Sequence, residues 1–281
     1  MFSHRIALAA IAATLFAQDA KLPDVSYDAK QPLAFHQELL KDAGGARLYD
    51  ISFASPRGGR VTAYAVVPAG VAHPAGIVWQ HWGQGDRSTM LPDAFAMARR
   101  GAVSILVNWP TNRPDPPRPT TPEESVAVWL QGVVDIRRAA DVLVEQYGAA
   151  PSRLAYVGHS TGATIGGVVA AAERRFRALV LMGGYASISS TFPESNRAAA
   201  GAFSAIDAER FLGRAAPAAL LLQFARYDRF VTEEQANRYA NAASEPKTVR
   251  WYDCGHEFND AQSATDRQQW LARRLGLSGR P

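Results

Sequence analysis

The segment Gly158-His159-Ser160-Thr161-Gly162 sets a serine between two glycines at the Gly-x-Ser-x-Gly spacing. A serine hydroxyl is a weak nucleophile until a base takes its proton, and that base must itself be oriented by a third group. Given those partners, the chemistry would be acyl transfer through Ser160. The motif follows the apolar run Leu154 to Val157, read as a strand, and opens a helix of small residues from Thr161 to Ala172. A serine on a sharp strand-to-helix turn is held in strained backbone, and side chains at the glycine positions would collide with the neighbouring strand and helix. The helix N-terminus adds donors and positive potential where an oxyanion would form. The backbone N–H of Thr161, directly after the serine, is the expected first oxyanion donor.

The base is sought among six histidines. His4 lies in an apolar leader, His36 in a polar lead-in, His73 before the third strand, His81 at that strand's end, and His159 inside the turn, directed away from Ser160. His256 lies in Asp253-Cys254-Gly255-His256-Glu257-Phe258, between the last strand and the last helix, and is the expected base. For the acid, the strand Ala219 to Phe224 runs into Ala225-Arg226-Tyr227-Asp228. Asp228 therefore sits just past a strand's carboxyl end, where the working side chains of open α/β sheets gather. The resulting order, Ser160 then Asp228 then His256, is the one expected when an elbow serine leads. Asp253 is the runner-up acid, or else a loop brace, and Asp207 stands behind it.

The elements that must carry these residues alternate along the chain. Leu48 to Phe53 and Val61 to Val67 read as strands joined by the turn residues Ser55-Pro56-Arg57-Gly58-Gly59. Ile77 to Trp79 is a short buried strand, Ser88 to Arg100 an amphipathic helix stopped by Gly101, and Val103 to Val107 another strand. After a proline-rich loop, Pro122 opens a long helix. Strands at 154–157, 178–182, 219–224 and 248–252 follow, with helices at 161–172, 233–243 and 261–275. Residues 184–214 interrupt the alternation as a short cap, with Tyr185, Phe192, Phe203 and Phe211 as candidate substrate-facing aromatics. Strands alternating with helices predict a mostly parallel eight-stranded sheet with an antiparallel N-terminal edge hairpin and helices on both faces. No repeat or linker divides residues 18–281, so one α/β domain is expected.

These residues resemble those of the α/β-hydrolase-fold serine hydrolases, nearest to the dienelactone hydrolase-like and acyl-peptidase-like esterases. The likeness runs from the hairpin at Ser55 to Arg60 through the histidine loop. In that family the oxyanion loop follows the third strand as His-Gly and small residues. This chain departs from the pattern with His81-Trp82-Gly83-Gln84-Gly85, where Trp82 replaces the first glycine. The resemblance therefore implies a second oxyanion N–H from Trp82 or Gly83, and Trp82 and Tyr185 are candidate substrate contacts.

Composition narrows the rest. With 281 residues, 47% hydrophobic and 20% charged, the chain has the usage of a globular protein and not of a coiled coil, a collagen or a disordered tail. The net charge of +4 comes from scattered arginines, with four lysines (21, 30, 41 and 247) and no basic block, so no nucleic-acid partner is expected. Cys254 is the single cysteine, which excludes an internal disulfide and a cysteine zinc site, and it is expected to pack as a small apolar residue. Met1 to Arg5 and the apolar run Ile6 to Ala17 have the n- and h-regions of a secretory signal peptide covering 1–17, and export is expected. No membrane span is expected after it. The expected activity is hydrolysis of small to medium carboxylic esters by Ser160, His256 and Asp228, without metal or organic cofactor. A peptidase, amidase or acyltransferase would use the same triad, and a non-catalytic binding protein is the alternative of another class.

Overall fold

The structure, a computed structural model, describes residues 20–277, so the expected leader at 1–17 lies outside it. Nine strands form one sheet in the order β1-β2-β3-β5-β4-β6-β7-β8-β9. They are β1 (His36–Asp42), β2 (Ala46–Ala54), β3 (Arg60–Pro68), β4 (Ala75–Gln80), β5 (Ala102–Val107), β6 (Leu154–His159), β7 (Phe176–Met182), β8 (Ala219–Ala225) and β9 (Lys247–Tyr252). β1, β2, β3 and β5 pair antiparallel in succession, and all later pairs are parallel. The expected count of eight is corrected to nine. The added strand, β1, is exposed at every residue, so it has no apolar alternation by which a strand is recognised. β2 and β3 form the expected hairpin, closed by Gly58 and Gly59 at positive φ.

The central strands are buried on both faces, which is why they read as unbroken apolar runs. Leu154 and Tyr156 of β6 and Leu179 and Leu181 of β7 turn to one face, and Ala155, Val157, Ala178 and Val180 to the other. The first face is covered by α2 (Pro122–Glu145), α4 (Gly166–Ala172) and α6 (Glu233–Ala242), through side chains such as Val133, Val168 and Tyr239. The second is covered by α1 (Leu91–Arg99) and α7 (Ala261–Arg274), through Met97 and Leu271. The start of α2 follows from its sequence: Thr121 and Glu124 form a reciprocal capping box and Pro122 occupies the first turn. The expected helix over 161–172 is instead two pieces, α3 (Thr161–Thr164) and α4, meeting at Ile165.

Residues 184–214 hold short 3₁₀ turns and α5 (Arg197–Phe203). An edge-to-face series, Trp109 on Trp129 and Trp129 on Phe203, ties this segment to α2 and to the loop after β5. Gly132 makes room for it, since a Cβ there would lie 2.5 Å from the Trp109 ring. Phe203 and Phe211 are buried, so their expected substrate-facing role is corrected to packing of the segment on the core. The order of the sheet reverses at β4, whose neighbours are β5 on one side and β6 on the other. At such a switch point a crevice opens beyond the strand ends, and the loops after β4 and β6 meet there.

Candidate active site

Ser160 follows β6 directly and has φ +52° and ψ −106°. Such a backbone costs a non-glycine residue on the order of 1–3 kcal/mol. Three hydrogen bonds hold it: the Ser160 N–H donates to the Met182 carbonyl at 2.8 Å, and the Ser160 carbonyl accepts from the Thr164 N–H at 2.7 Å and the Thr164 hydroxyl at 2.9 Å. At roughly 0.5–1.5 kcal/mol each, they are of the size needed to offset the strain. Both flanking glycines are required by space. A Cβ on Gly158 would lie 2.5 Å from the Gly162 carbonyl carbon and oxygen, and one on Gly162 would lie 2.6 Å from the Gln80 carbonyl oxygen. The Tyr156 hydroxyl closes the turn from below by donating to the Gly162 carbonyl at 2.8 Å.

His256 and Asp228 come together from the loops after β9 and β8. The His256 Nδ1 lies 2.7 Å from Asp228 Oδ2, and Asp228 Oδ1 accepts the N–H groups of Phe230 at 2.8 Å and Val231 at 3.0 Å. Burial alone would raise the Asp228 carboxyl, but the imidazole and the two backbone donors outweigh it and leave it below the ordinary carboxylate range. The imidazole reaches the serine's neighbourhood at Gly183. A Cβ there would lie 3.3 Å from His256 Cε1, while the preceding Met182 carbonyl receives the Ser160 N–H. The Ser160 backbone and the imidazole thus lie at adjacent residues, Met182 and Gly183. The two other acids stand apart from this pair. Asp253 is exposed and ion-paired with Arg226 at 3.1 Å, and Asp207 accepts from Ser187 and Ser189.

The loop after β4 meets the elbow at Gly83, where a Cβ would lie 3.0 Å from Thr161 Oγ1. His81 shapes this loop. Its Nε2 accepts the Trp109 N–H at 3.2 Å, so its proton is on Nδ1, which donates to the Trp82 carbonyl at 2.5 Å. The Gly85 N–H reaches the same carbonyl at 3.1 Å. In a trans peptide the N–H points opposite the carbonyl, so the Gly83 N–H is turned away from His81. The Trp82 ring stands edge-on to His159, with centroids 5.0 Å apart. Tyr185 is half-buried, donates its N–H to Thr164 Oγ1 at 3.1 Å, and has its phenol raised by burial and by the charge of Asp228.

His159 has a part that its position in the motif does not announce. Its Nε2 lies 2.7 Å from the His256 carbonyl oxygen, an acceptor, so the proton is on Nε2. Burial, and then the nearby His256, push its pKa down to about 3, which keeps the ring neutral. Its ring also meets Phe258 edge-on at 5.5 Å. One side chain therefore links the elbow, the loop after β4 and the histidine loop. No sequence signal points to this, because the partner is a backbone carbonyl 97 residues away. Cys254 is buried as expected, and burial followed by a hydrogen bond with Asp260 pushes its thiol up to about 12, out of nucleophilic range.

No protein-family model matches the chain, and no curated protein matches its sequence. Solved structures do. An acetyl xylan esterase from Paenibacillus sp. R4 is similar with a TM-score of 0.74 at 17% identity, over 95% of this chain and 93% of that one. Acetyl Xylan Esterase 1 from Thermoanaerobacterium sp. JW/SL YS485 gives a TM-score of 0.72 at 15% identity, over 94% and 93%. A Mycobacterium tuberculosis puromycin-hydrolyzing peptidase gives 0.66 at 20% identity, over 84% of this chain and 40% of that one. At these identities the likeness is one of fold, and the fold is that of the α/β hydrolases.

Proposed function

We propose that the protein is a serine hydrolase that cleaves carboxylic esters of small to medium size through an acyl-enzyme. The observation that carries this reading is the convergence at Met182 and Gly183: the Met182 carbonyl accepts the Ser160 N–H, and beside Gly183 lies an imidazole already hydrogen-bonded to Asp228. The esterase names of two structural neighbours support an ester over an amide bond.

In the proposed reaction Ser160 Oγ attacks the ester carbonyl carbon while His256 Nε2 takes its proton. Asp228 holds the Nδ1–H tautomer and the imidazolium that forms. The oxyanion receives the Thr161 N–H and, of the two candidates Trp82 and Gly83, the Gly83 N–H, which the His81 bond to the Trp82 carbonyl turns away from His81. Each such donor is worth about 3 kcal/mol in the transition state. Collapse breaks the bond to the alcohol oxygen, which takes the proton from His256. Water then repeats the sequence on the acyl-enzyme, releasing the acid and restoring Ser160. Trp82 and Tyr185 border the substrate on either side of the elbow. Export belongs to the same proposal, on the strength of the leader at 1–17.

The test is turnover of p-nitrophenyl acetate beside an aminoacyl p-nitroanilide. The expected result is ester cleavage that falls at least about 10³-fold in Ser160→Ala, with slow or no anilide cleavage. Ester turnover that survives Ser160→Ala would overturn the reading, and faster anilide cleavage would replace esterase by amidase.

A further inference from the structure

β8 is buried at every residue, and one of those residues is polar: Gln223, with no exposed surface. An amide inside an apolar strand costs free energy unless it is bonded, so the groups it bonds are what its presence specifies. Here they are the two ends of one loop. Gln223 Nε2 donates to the Tyr252 hydroxyl at 2.8 Å and to the Ser263 carbonyl at 2.9 Å. Tyr252 ends β9 and Ser263 lies in the first turn of α7, so the two acceptors flank residues 253–260, the loop that carries His256.

The other half of the amide is engaged as well. Oε1 accepts from Arg267 Nη1 at 3.1 Å, and the same buried guanidinium donates to Asp93 at 2.7 Å in the first turn of α1. A carbonyl acceptor on one side and a guanidinium donor on the other fix which way the amide faces. The Tyr252 hydroxyl, which receives from Gln223, passes its own proton to Asp266 at 3.0 Å. The Gln223 backbone reaches the serine side: its carbonyl accepts the N–H of Gly183, the residue beside the imidazole edge, at 2.9 Å.

The other side-chain supports act within the loop, Asp228 on the imidazole and His159 on the His256 carbonyl. Neither joins the loop's entry to its exit, which Gln223 does through a single nitrogen. The distance between those ends bears on rate, because a catalytic group displaced by about 1 Å can cost on the order of 10²-fold. Resting on the ester-hydrolase reading, we propose that Gln223 is a positioning residue for the base: its amide clamps the entry and exit of the histidine loop at a fixed span, and that span sets the place of His256 against Ser160. Tyr252 is one arm of the clamp, and Arg267 orients the amide.

Two variants test it. Gln223→Met keeps the length of the side chain and removes the amide, and Tyr252→Phe removes one arm. Both are made in the wild type and in Asp228→Asn, and kcat and KM for p-nitrophenyl acetate are measured well below the melting temperature of each. Gln223→Met is expected to lower kcat about 30-fold with KM within about twofold, and Tyr252→Phe to lower it about fivefold. In Asp228→Asn, where the imidazole is no longer held in its working form, the Gln223→Met loss should shrink to about threefold or less, as for residues acting through one group. Equal losses in both backgrounds would mean general loosening and would overturn the clamp, as would full kcat in folded Gln223→Met. If Gln223→Met does not fold, Tyr252→Phe decides by the same comparison. Amide hydrogen exchange of the folded variants gives a readout without turnover: faster exchange confined to 253–260 is expected, and unchanged exchange there, or faster exchange across the whole sheet, would overturn the clamp. If the wild type cleaved no ester while exchange rose in 253–260 alone, the failure would belong to the esterase reading and not to the clamp.

Discussion

Around Ser160 the backbone hydrogen bonds are reinforced by exclusion, with Gly158 and Gly162 sitting where any Cβ would strike backbone at 2.5–2.6 Å, whereas around His256 the chain is held by side-chain hydrogen bonds, one donated to Asp228 and one accepted from His159. The first region tolerates no change of volume, because backbone atoms cannot move aside as side chains do. The second tolerates changes of volume better than changes of donor and acceptor. Ser160 is thus positioned by the fold itself, and His256 by side chains added to it.

The largest expected effect tests the first half of that contrast. Gly158→Val should fail to give folded protein, or lose about 4 kcal/mol or more in urea denaturation, because the clash is with the Gly162 backbone. A folded Gly158→Val with near-normal stability would show that the elbow is not sterically fixed. Next in size is Asp228→Asn, which keeps the volume and removes the charge. It should fold normally and lose on the order of 10³–10⁴ in kcat by leaving the wrong imidazole tautomer. The Asp228 carboxyl is held below its unfolded value, so it contributes stability above the ordinary carboxylate range, and that contribution is lost as pH falls through its folded pKa. The variant should therefore lack this acid-side loss in a pH series of melting curves.

The smallest effect is also the one that separates the two modes of support. His159→Phe keeps an aromatic ring against Trp82 and Phe258 and removes only the donor to the His256 carbonyl. A loss of about tenfold in kcat with little change in KM is expected if the hydrogen bond positions the base, and no loss if only the ring matters. A second readout follows from protonation. Unfolded histidine binds a proton below about pH 6.5, whereas folded His159 stays neutral down to about 3. The unfolded state thus binds more protons in that window, and stability falls as pH drops through it. Removing His159 should flatten the fall between pH 6.5 and 4 by up to about 1.4 kcal/mol per pH unit.

What could be read from the sequence divides along the same line. The elbow was legible because a doubly buried strand is an unbroken apolar run and the glycines beside the serine follow from sterics. The pairing of His256 with Asp228 was legible from chain order and from the carboxyl ends of β8 and β9. The edge strand β1 was not, since all seven of its residues face solvent and no apolar period marks it. Nor was the link from His159 to His256, which runs to a backbone carbonyl, or the orientation of the Trp82–Gly83 peptide, which depends on which nitrogen of His81 carries the proton.

The central claim is that Ser160 is an activated nucleophile, and covalent labelling with a fluorophosphonate, read by intact mass and peptide mapping, tests it most directly. A single adduct on Ser160 of the folded protein, absent in Ser160→Ala, is the predicted result. A folded wild-type protein that takes no adduct, or an adduct that persists in Ser160→Ala, would contradict it.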